Sequence, residues 1–280
     1  MTLETPLKNR QVLLIVAPNG ARASQHDHPG IPITPQELAE EACACADAGA
    51  AMIHMHARDQ HGKHSLEIQD NINAIRAIRD AVGQRLITQV TTEAVGLYSP
   101  EQQIALIQEL CPEAASFALK ELVPNQESEE NAADFFAWVN KNNILAQYIL
   151  YSNDDIERYF SLRKSGVIPA GQHHLLLVLG RYSKTLQSSP DDLTNMLSPQ
   201  LLSSETRWAV CAFGSSEYEC LSAAVSLGAD VRIGFENNRL TPTGDIAESN
   251  SVQVKSIASE IQEQGHFLHT AQSVRELFSI

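Results

Sequence analysis

Short apolar, β-branched runs alternate with amphipathic helical stretches along the whole chain. The runs are Val12–Ala17, Ala51–His56, Arg85–Thr91, Ala114–Leu119, Ile144–Tyr151, His174–Leu179, Trp208–Phe213 and Asp230–Phe235. Between them, helical spacing of apolar residues marks stretches such as Pro35–Ala48, Ile68–Ala81, Pro100–Leu110, Asp154–Lys164 and Ser216–Leu227. Asn153–Asp154 is a helix cap signal after the fifth run, and Gly49, Gly83, Gly166 and Gly228 follow helix ends, where a left-handed turn back into a sheet is needed. Strands that alternate with helices pair in parallel, and near-continuous apolar strands are buried on both faces. Eight such units within 280 residues have the size of a TIM (β/α)8 barrel, typically about 250 residues. An open doubly wound sheet is the competing α/β architecture. It usually has fewer strands, and Ala17-Pro18-Asn19-Gly20-Ala21 does not match the dinucleotide-binding glycine pattern. With no linker or low-complexity tract in sight, the expectation is one closed barrel domain over residues 1–280.

Composition narrows the function. Apolar residues make up 43% of the chain and charged residues 19%, which excludes a disordered or coiled-coil chain. The net charge of −14, with no basic stripe, argues against a nucleic-acid partner. No apolar run approaches the roughly 18 residues a membrane-spanning helix needs, and Met1–Gln11 does not read as a signal peptide. The five cysteines are an odd number, and Cys43 and Cys45 are spaced poorly for metal binding on a helix. They read as reduced thiols, mostly in the core, of a cytoplasmic protein.

In such barrels chemistry sits at the C-terminal strand ends. The sharpest signal there is Ile53-His54-Met55-His56-Ala57-Arg58-Asp59. Two residues apart on a strand, His54 and His56 project from the same face, as one half of a zinc or similar divalent site would require. Two hydrogen-bonded rim histidines are the alternative. Glu236, past the last run, supplies a third donor, because the eighth strand neighbours the first in a closed barrel. Two histidines and one carboxylate leave open positions for a substrate. A cap or a loop salt bridge is the plainer role for Glu236. Arg232 lies inside that last strand, where an unpaired charge is costly to bury. Other strand ends add Asn19, Arg22, Thr91, Thr92, Glu93, Ser116 and Gln147. Singly, each reads as a turn or capping residue; their shared rim is what makes them candidates. His173 and His174 fall at the opposite rim, His61 and His64 in a polar loop, and His266 and His269 in the C-terminal region. His26 and His28 read as surface residues of the loop after the first strand.

Several segments together resemble the β-keto acid cleavage enzyme family. They are Ala17-Pro18-Asn19-Gly20-Ala21, His28-Pro29-Gly30-Ile31-Pro32-Ile33-Thr34-Pro35, Ala48-Gly49-Ala50 with the His54/His56 motif, Arg58-Asp59, Gly62, His64-Ser65, Gln89-Val90-Thr91-Thr92, Arg232-Ile233-Gly234-Phe235-Glu236-Asn237-Asn238 and Ala247-Glu248-Ser249-Asn250. The order is kept from about residue 12 to the C-terminus. The resemblance implies a zinc-dependent TIM barrel, usually a homotetramer, that reacts a β-keto acid with acetyl-CoA to give acetoacetate and a new acyl-CoA. His54, His56 and Glu236 match the metal ligands (zinc or another divalent ion), while Thr91 and Ser116 match hydroxyl positions that contact substrate. Arg232 matches an arginine that works with an aspartate, and the partner position here is Asn237.

Three positions depart from that pattern. Asn237 cannot take up a proton as an aspartate does, so Glu93 or a water becomes the candidate base. Gln147 stands where a glutamate is expected. Arg22 replaces an acidic residue, which argues against an amino-substituted keto acid and for a neutral or anionic one. The Gly180-Arg181-Tyr182-Ser183-Lys184 loop lacks the expected glycine-rich run, and its Arg181 and Lys184 read as solvated charges rather than contacts to coenzyme A phosphates. Two alternatives stand beside the acyltransferase: a metal-dependent hydrolase on the same fold, and a catalytically idle keto acid or acyl-CoA sensor, which Asn237 and Gln147 would favour.

Overall fold

The computed structural model describes residues 9–171 and 173–280; the reading of Met1–Gln11 as no signal peptide falls largely outside them. Eight parallel strands close in sequence order into a barrel. They are β1 (Leu14–Val16), β2 (Met52–Met55), β3 (Ile87–Thr91), β4 (Ala114–Ala118), β5 (Leu145–Leu150), β6 (His174–Leu179), β7 (Arg207–Ala212) and β8 (Asp230–Ile233). Closure is made by β8 on β1, with Leu14, Ile15 and Val16 in register with Val231, Arg232 and Ile233. The chain can pass that closely because residue 234 is glycine: its φ is +144°, and a Cβ there would collide with the Ala17 carbonyl. Seven of the eight expected runs contain their strand, and β7 begins one residue early, at Arg207.

Local signals place the helices. Pro35–Asp47 starts at a Thr34–Glu37 capping box and Pro100–Leu110 at a Ser99–Gln102 box, each with proline in the first turn. The structure adds helices at Glu129–Lys141, Asn250–Glu263 and Ala271–Phe278 to those named from the sequence. The last of these decides which end of the barrel is open. Its Ala271, Val274 and Phe278 pack onto Leu13, Ile15, Met52, Ile87, Ala114 and Leu145, closing the N-terminal mouth with apolar surface. The C-terminal strand ends stay accessible. No helix among the described residues is long and apolar enough to cross a membrane. All five cysteines are free, with Cys45, Cys211 and Cys220 buried and Cys111 exposed.

One buried ionic network ties the closed end together. Asp230, at the start of β8, accepts from the Leu13 amide (2.7 Å), from Arg207 Nε and Nη2 (2.5 and 2.7 Å) and from His174 Nε2 (3.1 Å). His174 Nδ1 in turn accepts from Gln147 Nε2 at 2.8 Å. Burial by itself would raise the Asp230 carboxyl, but His174 and Arg207 hold it far below the usual carboxylate range. Its stabilising contribution is therefore complete above the unfolded value of about 3.9 and is lost as pH falls below it. Asp230→Asn should cost about 3 kcal/mol or more at pH 7 by leaving Arg207 underpaired. In urea unfolding, the gap between wild type and variant should narrow below about pH 4.

Candidate active site

His54 points into the barrel from β2, and His56 follows just beyond the strand. Their Nε2 atoms lie 3.1 Å apart, and both side chains are about 1% exposed. Each histidine is fixed from behind. His54 Nδ1–H donates to Gln89 Oε1 at 2.8 Å, which leaves Nε2 with its lone pair facing the cavity. The Asn19 side chain clasps the His56 backbone, accepting from its amide (3.2 Å) and donating to its carbonyl (2.9 Å). Burial, reinforced by Arg232, lowers the His54 pKa to about 3, so the ring is neutral.

Glu236 reaches the pair from the loop after β8. Its Oε2 is 3.5 Å from His56 Nε2 and 3.7 Å from His54 Nε2, is buried, and has no hydrogen-bond partner among the described atoms. Gly20 permits this approach, since a Cβ there would lie 2.7 Å from Glu236 Cγ. Beneath sits Arg232, 3% exposed, with Nη2 3.2 Å from Glu236 Oε1 and 3.3 Å from Cys211 Sγ. Burial opposes ionisation of Glu236, but the Arg232 guanidinium beside it holds its carboxyl well below the ordinary range. Burial also pushes Cys211 up to about 11, so it meets the guanidinium as a neutral thiol. The three donor atoms lie within 4.8 Å of one another. The neutral His54 ring, the His56 imidazole beside it and an orphaned carboxylate oxygen, converging on one point, fit a divalent cation.

These groups open into a cavity of about 500 Å³. Of the residues expected at the site, Arg22, Thr91, Thr92, Glu93, Arg232, Glu236, Asn237 and both histidines line it. Thr91 Oγ1 accepts from the Glu93 amide at 3.1 Å. Glu93 Oε1 takes a 2.6 Å bond from Arg22 and lies 3.7 Å from Arg181, so Arg22 faces the cavity already paired. Asn237 is 6% exposed, and neither polar atom of its side-chain amide has a partner among the described residues. Ser116 and Gln147 do not reach the cavity. Strand side chains alternate, and the next inward positions on β4 and β5, Ala118 and Ile149, line it instead. That leaves Ser116 and Gln147 roughly 7 Å deeper in the barrel, where Gln147 serves His174.

Other expectations change as well. Arg181 is a cavity residue rather than a solvated charge, while Lys184 is exposed. His28 is buried against Phe235, with ring centroids 4.4 Å apart. His64 is also buried, and its Nε2 bonds the Glu93 carbonyl at 2.8 Å. The supporting roles of Gln89 and Arg58 were not assigned from sequence. Arg58 donates to the Gly20 and Ala23 carbonyls and so pins the loop after β1; its place directly after the histidine motif is the available signal.

Fold and site together define a (β/α)8 barrel with a candidate two-histidine, one-carboxylate metal centre at its open rim. The family model for beta-keto acid cleavage enzyme matches residues 11–280, and the chain belongs to that family. It is 27% identical over 277 residues to a 3-keto-5-aminohexanoate cleavage enzyme of Acetoanaerobium sticklandii, covering 96% of this chain and 98% of the relative. It is 26% identical over 310 residues to a 3,5-dioxohexanoate:acetyl-CoA acetone transferase of Paraburkholderia graminis, covering 97% and 96%. A solved structure described as a binary complex of ObcA with oxaloacetate shares the fold, with a TM-score of 0.71 and 16% identity over 90% of this chain and 67% of that one. Among the described residues, His54, His56 and Glu236 are the one group of three or more His, Cys, Asp or Glu side chains spaced to hold a metal ion.

If Gln89 sets the His54 tautomer, Gln89→Leu should weaken Zn²⁺ binding by about 10- to 100-fold. Competition against a chromogenic chelator measures this directly, independent of turnover.

Proposed function

We propose that this chain exchanges the acyl groups of a β-keto acid and acetyl-CoA, giving acetoacetate and a new acyl-CoA. The observation that carries this reading is the convergence of His54, His56 and Glu236 beside a buried Arg232 in a chain of this family. The residues that would hold the ion are those three, with zinc the preferred occupant. A divalent ion there would polarise the keto and carboxylate oxygens of the substrate and ease loss of the proton between them.

The chain's own groups supply the rest. Glu93 accepts that proton: Arg22 and Arg181 hold one carboxylate oxygen, while Oε2 stands 3.9 Å from His56 Nδ1, outside hydrogen-bond reach. Asn237 offers its unpartnered amide to a substrate oxygen in place of a second base. Arg232 places a fixed positive charge next to the developing negative charge. The freed carbon attacks the acetyl thioester and releases the coenzyme A thiolate. The thiolate then attacks the original keto carbon, the old carbon–carbon bond breaks, and acetoacetate leaves after regaining a proton. Thr91 and Thr92 shape the cavity wall, while Ser116 and Gln147 support it from below. We further take the chain to be a single barrel domain that works in the cytoplasm, in keeping with its free cysteines, and as a homotetramer, as the family resemblance implies.

Purified protein given acetyl-CoA and neutral, anionic and cationic β-keto acids should release acetoacetate from at least one class, and a chelator should abolish it. Glu93→Gln should lower kcat by about 10²- to 10⁴-fold, the usual contribution of a general base. Tight ligand binding without turnover across the panel would instead mark an idle sensor.

A further inference from the structure

The cavity is divided by polarity along the order of the strands. Going round from β8 through β1, β2 and β3, the side chains presented at the open end are Arg232, Asn19, His54 and Thr91. Across β4 to β7 they are Ala118, Ile149, Val178 and Phe213, with the Tyr151 ring just past β5 packed on the same cluster. These four form one surface. Ala118 and Ile149 are register partners, and Ile149, Val178 and Phe213 belong to a single apolar cluster within the barrel. Val178 is 4% exposed and Phe213 9%. Of the charges lining the cavity, Arg181 lies over the Phe213 ring at 5.3 Å, and it is already directed to Glu93.

A β-keto acid has a polar head and a variable tail. The head carries the keto and carboxylate oxygens and belongs with the cation-binding triad and Arg232 on the polar side. The tail then meets the β4–β7 wall. A charged tail would lose hydration there with no partner to replace it, whereas an alkyl or aryl tail gains from leaving water. The pantetheine arm of coenzyme A fits this wall less well, because it carries two amides and these four side chains hold neither donor nor acceptor.

We propose that the substrate is a β-keto acid with an uncharged, apolar tail seated against Ala118, Ile149, Val178 and Phe213. This rests on the reaction proposed above and narrows its substrate class.

The test separates the two. Binding of 3-oxohexanoate, of 3-oxoadipate and of 5-amino-3-oxohexanoate to zinc-loaded protein is measured by calorimetry without acetyl-CoA, and turnover is then measured with it. The expected result is binding of 3-oxohexanoate at least about tenfold tighter than of either charged compound. Each added methylene, from 3-oxopentanoate to 3-oxohexanoate to 3-oxoheptanoate, should strengthen binding by about fourfold. Ile149→Asp, a change at the half-buried edge of the wall, should reverse the ranking toward the ammonium-bearing compound. Equal or tighter binding of a charged tail, or affinity indifferent to tail length, overturns the tail assignment. The wild-type ranking decides this even if the variant does not fold. Ranked binding with no turnover overturns the reaction and leaves the tail assignment standing; no binding by any of them overturns both.

Discussion

A guanidinium buried inside a barrel of apolar strands must be met by negative charge, and Arg232 sets that requirement. Its counter-charge is Glu236, four residues on, so the loop after β8 has to turn back over the strand end instead of continuing outward. Gly234 makes the turn possible and Gly20 leaves room for the returning side chain. The same pairing leaves Glu236 Oε2 facing the two histidines. The ion pair therefore builds the site by committing one carboxylate oxygen to Arg232 and orienting the other. A buried pair of this kind is weak evidence for stability, since desolvation offsets much of its attraction. Its value here lies in the orientation it enforces.

The two ends of the barrel handle charge differently. At the closed end Asp230 is saturated by Arg207, His174 and a backbone amide, and the terminal helix seals it with apolar side chains. At the open end Glu236 Oε2, Arg232 Nε and both side-chain amide atoms of Asn237 are buried without partners among the described residues. Buried polar atoms of folded proteins are overwhelmingly satisfied. The contrast between a saturated Asp230 and a Glu236 oxygen left free agrees with the rule that barrel active sites lie at the C-terminal strand ends.

The barrel is legible in the sequence because each strand and helix is a local pattern, repeated, and closure follows from repetition. His54, His56 and Glu236 are legible for the same reason, since position at a strand end is enough to place them on one rim. Depth inside the barrel is not legible. Ser116 and Gln147 differ from Ala118 and Ile149 by a single step of the strand alternation, and which step faces the cavity depends on register between neighbours. Pairings across the rim, such as Arg22 with Glu93 71 residues away, have no local signature either. A lone arginine reads as a free charge in sequence, and the structure shows it occupied.

That occupation changes how the whole cavity is to be understood. The chain carries a net charge of −14, yet the cavity is lined by Arg22, Arg181, Arg232 and Arg239 against Asp27, Glu93 and Glu236. The one strongly anionic molecule thus has an excess of fixed positive charge at its open rim, and a divalent ion on the triad would deepen it. Such local reversal favours entry of anions against the field of the rest of the surface. Arg22, Arg181 and Arg232 are paired with Glu93 and Glu236, so they draw a carboxylate head inward without presenting a bare cation at the β4–β7 wall. Attraction for the head and the lack of a partner for a charged tail then follow from one arrangement: Arg22, Arg181 and Arg232 are each held by a carboxylate that is itself part of the site.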